Sequence, residues 1–193
     1  MELVLIRHGL PEQVVSEDGS PADPPLSEEG HKQAGQLAEF LGDEQFDHIY
    51  ASPMRRAYQT AQPLAEKQGV KIDIRSGIAE YDQQASVYIP IEQLKEVDYD
   101  RWNALMNGNY GSTIDFSAFA DLVILTLEQI VGENPGKKIA VACHGGVINV
   151  WAAHVIGFEP RLFFNPNYTS INRFMAASSG QKSVITLNQA VHL

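Results

Sequence analysis

Leu3-Val4-Leu5-Ile6-Arg7-His8-Gly9 starts with four consecutive large apolar residues and stops abruptly at an arginine, a histidine and a glycine. A short continuous apolar run that ends in a polar loop suits a strand covered on both faces, as in a parallel sheet. Lys138-Ile139-Ala140-Val141-Ala142-Cys143-His144-Gly145-Gly146 repeats the design late in the chain. Further strands are expected at residues 46–51 and 70–74, with closing strands at 172–176 and 184–187.

Helices alternate with these strands. Ser27 is placed to cap a helix whose first turn holds Glu28 and Glu29, at the positive end of the helix dipole. Ala34, Leu37, Ala38 and Leu41 give that helix its apolar stripe. Ser52-Pro53 reads as an N-cap followed by proline in the first helical position; this helix runs through Arg56, Thr60, Ala61 and Leu64, with Gly69 past its end. Phe116, Phe119, Ala120, Val123, Leu127 and Ile130 recur at helical spacing, with Gly132 as the expected stop. A last helix is expected over 147–156, stopped by Gly157. Strands alternating with helices predict an α/β fold, a mostly parallel central sheet with helices on both faces. In such sheets ligands bind beyond the carboxyl ends of the strands.

Two stretches break the alternation. Residues 10–25 carry Pro11, Gly19, Pro21, Pro24 and Pro25 and read as a loop. From about 80 to 117 the periodicity is weak, tyrosines and acids are common, and the segment reads as a small cap insertion within one domain spanning 1–193. Its acids Glu92, Glu96, Asp98 and Asp100 read as a solvated face. Tyr81, Tyr88, Tyr99, Trp102 and Tyr110 either line a cleft or pack the cap against the sheet.

With 193 residues, 44% of them hydrophobic and 20% charged, the chain has the composition of an ordinary globular domain. The net charge of -10 argues against nucleic acid as a partner, but leaves room for one local basic pocket. No apolar run approaches the roughly 20 residues of a membrane span, no signal peptide is recognised, and the single cysteine fits a reducing compartment, so a cytoplasmic protein is expected.

His8 and His144 each end an apolar strand and precede a glycine, so both should overhang one edge of the sheet. Arg7 adjoins the first, and Arg56 lies in the opening turns of a helix, where free backbone N–H groups attract phosphate. Two guanidiniums and two imidazoles make a compact cationic pocket for a phosphoryl group, with arginine supplying bidentate bonds. Cys143 should point away from His144, because successive strand side chains alternate, and so reads as a buried apolar residue. His31, His48, His154 and His192 show no metal-binding pattern.

Arg7-His8-Gly9, Leu26-Ser27-Glu28-Glu29-Gly30 with Gln33-Ala34, Ser52-Pro53-Met54-Arg55-Arg56-Ala57-Tyr58-Gln59-Thr60-Ala61 and Cys143-His144-Gly145-Gly146, in that order and spacing, resemble the histidine phosphatase superfamily, the phosphoglycerate-mutase-like enzymes. The resemblance spans nearly the whole chain. It implies a phosphatase in which His8 is the nucleophile and forms a phosphohistidine. Arg7, Arg56, His144 and Gly145 would bind the phosphoryl group, and Glu80, in Ile78-Ala79-Glu80-Tyr81-Asp82, would donate the proton, with Asp82 as the alternative. Arg56 is preferred to Arg55 because the family arginine directly precedes the alanine.

No metal or cofactor is implied, and the partner would be a small phosphorylated substrate or a phosphoprotein; a dimer is compatible with the sequence. Two alternatives of the same fold are a phosphoglycerate-type mutase and a non-catalytic phospholigand-binding protein. The chain departs from the common pattern after the first histidine, where Leu10-Pro11-Glu12-Gln13 replaces a segment with an asparagine; Gln13 or a backbone amide is the candidate replacement. Tyr168-Thr169-Ser170 falls where the family has a short polar segment.

Overall fold

The computed structural model describes residues 1–110 and 114–193. In chain order its elements are β1 (Glu2–Arg7), β2 (Val14–Val15), α1 (Glu28–Phe40), β3 (His48–Ala51), α2 (Arg55–Gln68), β4 (Ile72–Ile74), a 3₁₀ turn (Ser76–Ile78), β5 (Val87–Tyr88), α3 (Ile91–Val97), α4 (Tyr99–Met106), α5 (Phe116–Glu133), β6 (Lys138–Cys143), α6 (Gly145–Ile156), β7 (Ile171–Ala176) and β8 (Lys182–Gln189). Six strands form the main sheet in the order β4-β3-β6-β1-β7-β8. The first four run parallel, and β7 and β8 close the sheet antiparallel. The expected α/β architecture is the observed one.

Alternation along the central strands sorts the core. Leu3 and Leu5 of β1, with Ile139, Val141 and Cys143 of β6, pack against α5 and α6 residues such as Val123, Leu127 and Trp151. Val4, Ile6, Ala140 and Ala142 face the other way, onto Leu37 and Ala38 of α1 and Ala61 and Leu64 of α2. Both faces are therefore dry, which is why these strands read as unbroken apolar runs. Burial pushes the Cys143 thiol pKa up, so it sits in the core as a neutral apolar group.

Three local expectations change. Ser52 does not cap α2: its hydroxyl oxygen accepts from the Met54 N–H (3.3 Å) and pairs with the His144 ring (2.8 Å), and the helix begins at Arg55. The cap comes from the loop, where Asp23 accepts from the Arg55 N–H at 3.0 Å. Gly132 does not end α5; buried Asn134 does, its side-chain amide donating to the Ile130 carbonyl (2.8 Å) and the Tyr50 hydroxyl (3.1 Å). The loop over 10–25 contains β2, which pairs antiparallel with β5.

Among the described residues, the segment read as a cap contributes β5, α3 and α4 and no strand of the main sheet. Residues 111–113 of that stretch lie outside the described residues. Among the described residues no helix is long and apolar enough to cross a membrane.

Candidate active site

Arg7 and Cys143 are register partners at the ends of β1 and β6, so the two residues that follow, His8 and His144, emerge side by side at the carboxyl edge of the sheet. Their rings lie edge to face with centroids 5.2 Å apart. Backbone bonds hold His8 on both sides: its N–H donates to the Cys143 carbonyl (3.0 Å), and its carbonyl accepts from the Thr169 N–H (3.3 Å). Gly9 donates to Thr60 Oγ1 of α2 at 3.0 Å. A side chain at Gly30 would put its Cβ 2.0 Å from the Leu10 carbonyl oxygen, so α1 can approach this loop only through a glycine.

The two contacts of the His8 ring fix its tautomer. Nδ1 lies 2.8 Å from the Gly9 carbonyl, which only accepts, so Nδ1 carries the proton. Arg56 Nε donates to Nε2 at 3.3 Å, so Nε2 carries the lone pair. Burial, then the charges of Arg56 and Arg7, hold His8 well below the usual imidazole pKa; the ring is neutral. His144 is neutral for the same reasons, burial first and Arg56 next. It is fully buried behind His8.

Arg56 is 0% exposed, whereas its neighbour Arg55 is on the surface. Its guanidinium lies 4.5 Å over the Tyr88 ring and 3.6 Å from Asp82. Arg7 Nε, Arg56 Nη1 and Nη2, and His144 Nδ1 are buried with no hydrogen-bond partner among the described residues. Buried donors left unpaired are costly, and a phosphoryl group offers the acceptors that this set would satisfy.

Glu80 faces the same pocket from the segment after the 3₁₀ turn. Its carboxylate accepts from the Gly146 N–H (2.9 Å), in the first turn of α6, and from the Tyr81 N–H (3.1 Å). Burial is the larger cause, and the Asp82 carboxylate the second, that push its pKa up to about 7. Burial also raises Asp82, against the opposing field of Arg56. A Cβ at Gly146 would lie 2.2 Å from Glu80 Oε1, so glycine there is what lets the carboxylate reach the helix terminus.

Arg7, His8, Arg56, Glu80, Asp82, Gly145 and Gly146 line one pocket of about 60 Å³, several times the room a single water needs. Of the catalytic and phosphate-binding candidates read from sequence, only His144 is not on its wall. Gln13 lies on the surface and pairs with Gln93, so it does not replace the family asparagine.

Several residues here were missed or misjudged in the sequence. Glu92, read as part of a solvated face, pairs with Arg7 at 2.7 Å and accepts from the Tyr168 hydroxyl at 2.7 Å and the Asn165 amide at 3.1 Å. Burial pushes the Glu92 carboxyl pKa up, but Arg7 and Tyr168 outweigh it and hold it below the usual carboxylate range. Tyr168 stacks beneath Arg7, 4.1 Å from the guanidinium carbon. Arg7 also donates to the Pro166 carbonyl. Buried Asn149 fixes that loop, accepting from the Phe163 and Phe164 N–H groups (2.8 and 3.1 Å) and donating to the Gly145 and Phe164 carbonyls. An asparagine inside an apolar helix, Val147-Ile148-Asn149-Val150-Trp151, was the available signal for it. Among the described residues no three His, Cys, Asp or Glu side chains cluster as a metal site.

A neutral histidine with an unprotonated Nε2, a cationic pocket and a buried acid of raised pKa are the groups that phosphoryl transfer through a histidine needs. The model of the histidine phosphatase superfamily (branch 1) matches residues 3–189, and the chain belongs to that superfamily. It is 36% identical to phosphoserine phosphatase 1 of Hydrogenobacter thermophilus, over 53% of this chain and half of that protein's length. It is 30% identical to glucosyl-3-phosphoglycerate phosphatase of Mycobacterium tuberculosis, over 80% of this chain and 74% of that protein. The solved mycobacterial glucosyl-3-phosphoglycerate phosphatase bound to inorganic phosphate shares the fold, with TM-score 0.79 and 21% identity over 100% of this chain and 99% of that one.

Proposed function

We propose that the protein hydrolyses phosphomonoesters in two displacements at His8. His8 Nε2 attacks phosphorus, the P–O ester bond breaks, and protonated Glu80 gives its proton to the departing oxygen. The Glu80 carboxylate then takes a proton from water, whose oxygen attacks the phosphohistidine. The P–N bond breaks, leaving inorganic phosphate and neutral His8. Arg7, Arg56 and the first turn of α6 at Gly145 hold the phosphoryl oxygens and offset the charge developing on them. Ser52 can donate to His144 Nε2, which makes Nδ1 of that ring a further donor. Residues from about 80 to 117 act as the cap of a single domain, and Glu80 is preferred to Asp82 as the proton donor because the Asp82 charge, second to burial, raises the Glu80 pKa.

One observation carries this reading: both contacts of the His8 ring leave Nε2 unprotonated, beside the guanidinium that would hold the phosphate. Hydrolysis is favoured over a mutase because Arg7 and Arg56 are the only cations among the described residues on the pocket wall. A second anionic group held within this pocket would find no further cation on its described wall. The buried free thiol of Cys143 supports a cytoplasmic setting.

The test is hydrolysis of p-nitrophenyl phosphate in the presence of a chelator, for the wild type and His8→Ala, with rapid-quench trapping of a phosphohistidine. Metal-independent turnover and a trapped intermediate, both lost in the variant, are expected. Wild-type rates from His8→Ala would exclude the mechanism.

A further inference from the structure

A second cavity, of about 750 Å³, opens beside the phosphate pocket under the cap. That size is within the usual range of small-molecule sites, roughly 300–1,000 Å³. Tyr81, Asp82, Ile89 and Ile91 form walls of both spaces. The departing oxygen must face the acid that protonates it. A substrate held on His8 therefore directs its alcohol portion past Glu80 and Asp82, and Asp82 stands where the two spaces meet.

The larger cavity is lined in the main by apolar side chains, Val87, Ile89, Ile91, Leu94, Leu105 and Ile114 among them, with Gln84, Ser86 and Asn109 as polar breaks in the wall. Such a surface gains by covering apolar area and offers little to a strongly hydrated group. Charge points the same way. Arg7 and Arg56 are taken up by the phosphoryl group, and two carboxyl groups flank the doorway. Even with Glu80 protonated for donation, an alcohol carrying a carboxylate next to the ester would meet the Asp82 carboxyl there. Arg101 is the one cation among the described residues lining the cavity.

We propose that this cavity binds the leaving group, and that the preferred substrate is the phosphomonoester of a bulky, uncharged, mainly apolar alcohol rather than of a compact hydroxy acid. The proposal rests on the phosphatase reading above. It separates this chain from relatives whose names specify phosphoserine or a phosphoglycerate derivative.

The experiment compares kcat/KM for 2-phenylethyl phosphate and phosphoserine, both alkyl esters, so that leaving-group basicity does not dominate. The wild type should favour the phenylethyl ester by about tenfold or more, the scale set by a few buried methylenes. Ala104→Trp, on the cavity wall in α4, should cut the phenylethyl ester about tenfold while leaving phosphoserine within about twofold. Equal or better use of phosphoserine by the wild type overturns the cavity assignment alone. So does an equal loss of both substrates in Ala104→Trp. Hydrolysis of neither ester by folded wild type overturns the phosphatase reading together with this one.

Discussion

At the sheet edge, Arg7, His8, Arg56 and His144 are 4%, 3%, 0% and 0% exposed, and backbone bonds tie Arg7 and His8 to the end of β6 and to the residues that lead into β7. Above them, α3 and α4 have seven and eight residues, and each buries a single side chain, Leu94 and Leu105. Helices that short do not persist alone, and few buried contacts place a segment at the low end of a protein's local stability. The groups proposed to react thus sit on a firmly held part of the molecule and the walls proposed for the leaving group on a loosely held one. Substitutions at the sheet edge should therefore slow every ester alike, and changes above it should depend on which ester is used.

Glu80 lies on the boundary and gives the largest contrast. Glu80→Gln should lower kcat/KM, which reports only the first displacement and so not the later base role, for an alkyl phosphate by about 10²–10⁴-fold, the usual span for a lost general acid. With p-nitrophenyl phosphate, whose leaving group needs no proton, the loss should be under about tenfold on the same scale. Glu80 must be protonated to donate. With a pKa near 7, activity on the alkyl ester should fall as pH rises through about 7, and that limb should be missing in the variant. Equal losses on both esters would show that Glu80 acts structurally. Arg56→Lys comes next, because it keeps the charge and loses the fork that reaches both His8 and the phosphoryl group. It should cost about 10²-fold on every substrate, in the range of a lost transition-state donor. An effect that varied with the leaving group would put Arg56 on the cap side of the comparison.

The same division governed what could be read from the sequence. Dry strands leave an unmistakable apolar run, so Leu3–Ile6 and Ile139–Cys143 are enough to place both histidines at strand ends. Arg56 was legible through the resemblance, because the family arginine directly precedes the alanine, here Ala57. Glu92 was not legible. Its pairing with Arg7 joins residues 85 positions apart and depends on where a short helix comes to rest. Spacing within Glu92, Glu96, Asp98 and Asp100 carries no trace of that. Ser52 misled for a related reason: a serine before proline has the local signature of an N-cap, but its hydroxyl was claimed by His144, 92 positions away. At these two residues local rules failed because the side chain had a distant partner, and in both cases that partner is one proposed for the phosphate site.

Gly146→Ala should give a smaller effect. The added methyl cannot coexist with Glu80 Oε1 at 2.2 Å, so the carboxylate should leave the α6 terminus. Losing the Gly146 N–H, a contact that lowers the acid's pKa, should move the alkaline limb upward. Alkyl-ester turnover should drop by about tenfold, at the scale of one misplaced catalytic group. An unchanged pH profile would mean that the terminus does not tune the acid.

The smallest effect belongs to Glu92. In the free enzyme its carboxylate occupies Arg7, so an incoming phosphate competes with it for one guanidinium. Glu92→Gln removes the competing charge and should tighten competitive inhibition by inorganic phosphate. The gain should be only about fivefold, since an ion pair whose acid is 37% exposed contributes no more than about 1 kcal/mol. The sign with pH follows from the lowered pKa. The pair is intact above the ordinary carboxylate range and is lost as pH falls through the depressed value in the folded protein. Wild type and variant should therefore differ at pH 7 and converge at low pH, wherever the fold still permits measurement. Identical inhibition constants at pH 7 would show that phosphate does not displace Glu92, and that the cap reaches further into the phosphate site than the contrast between the two regions allows.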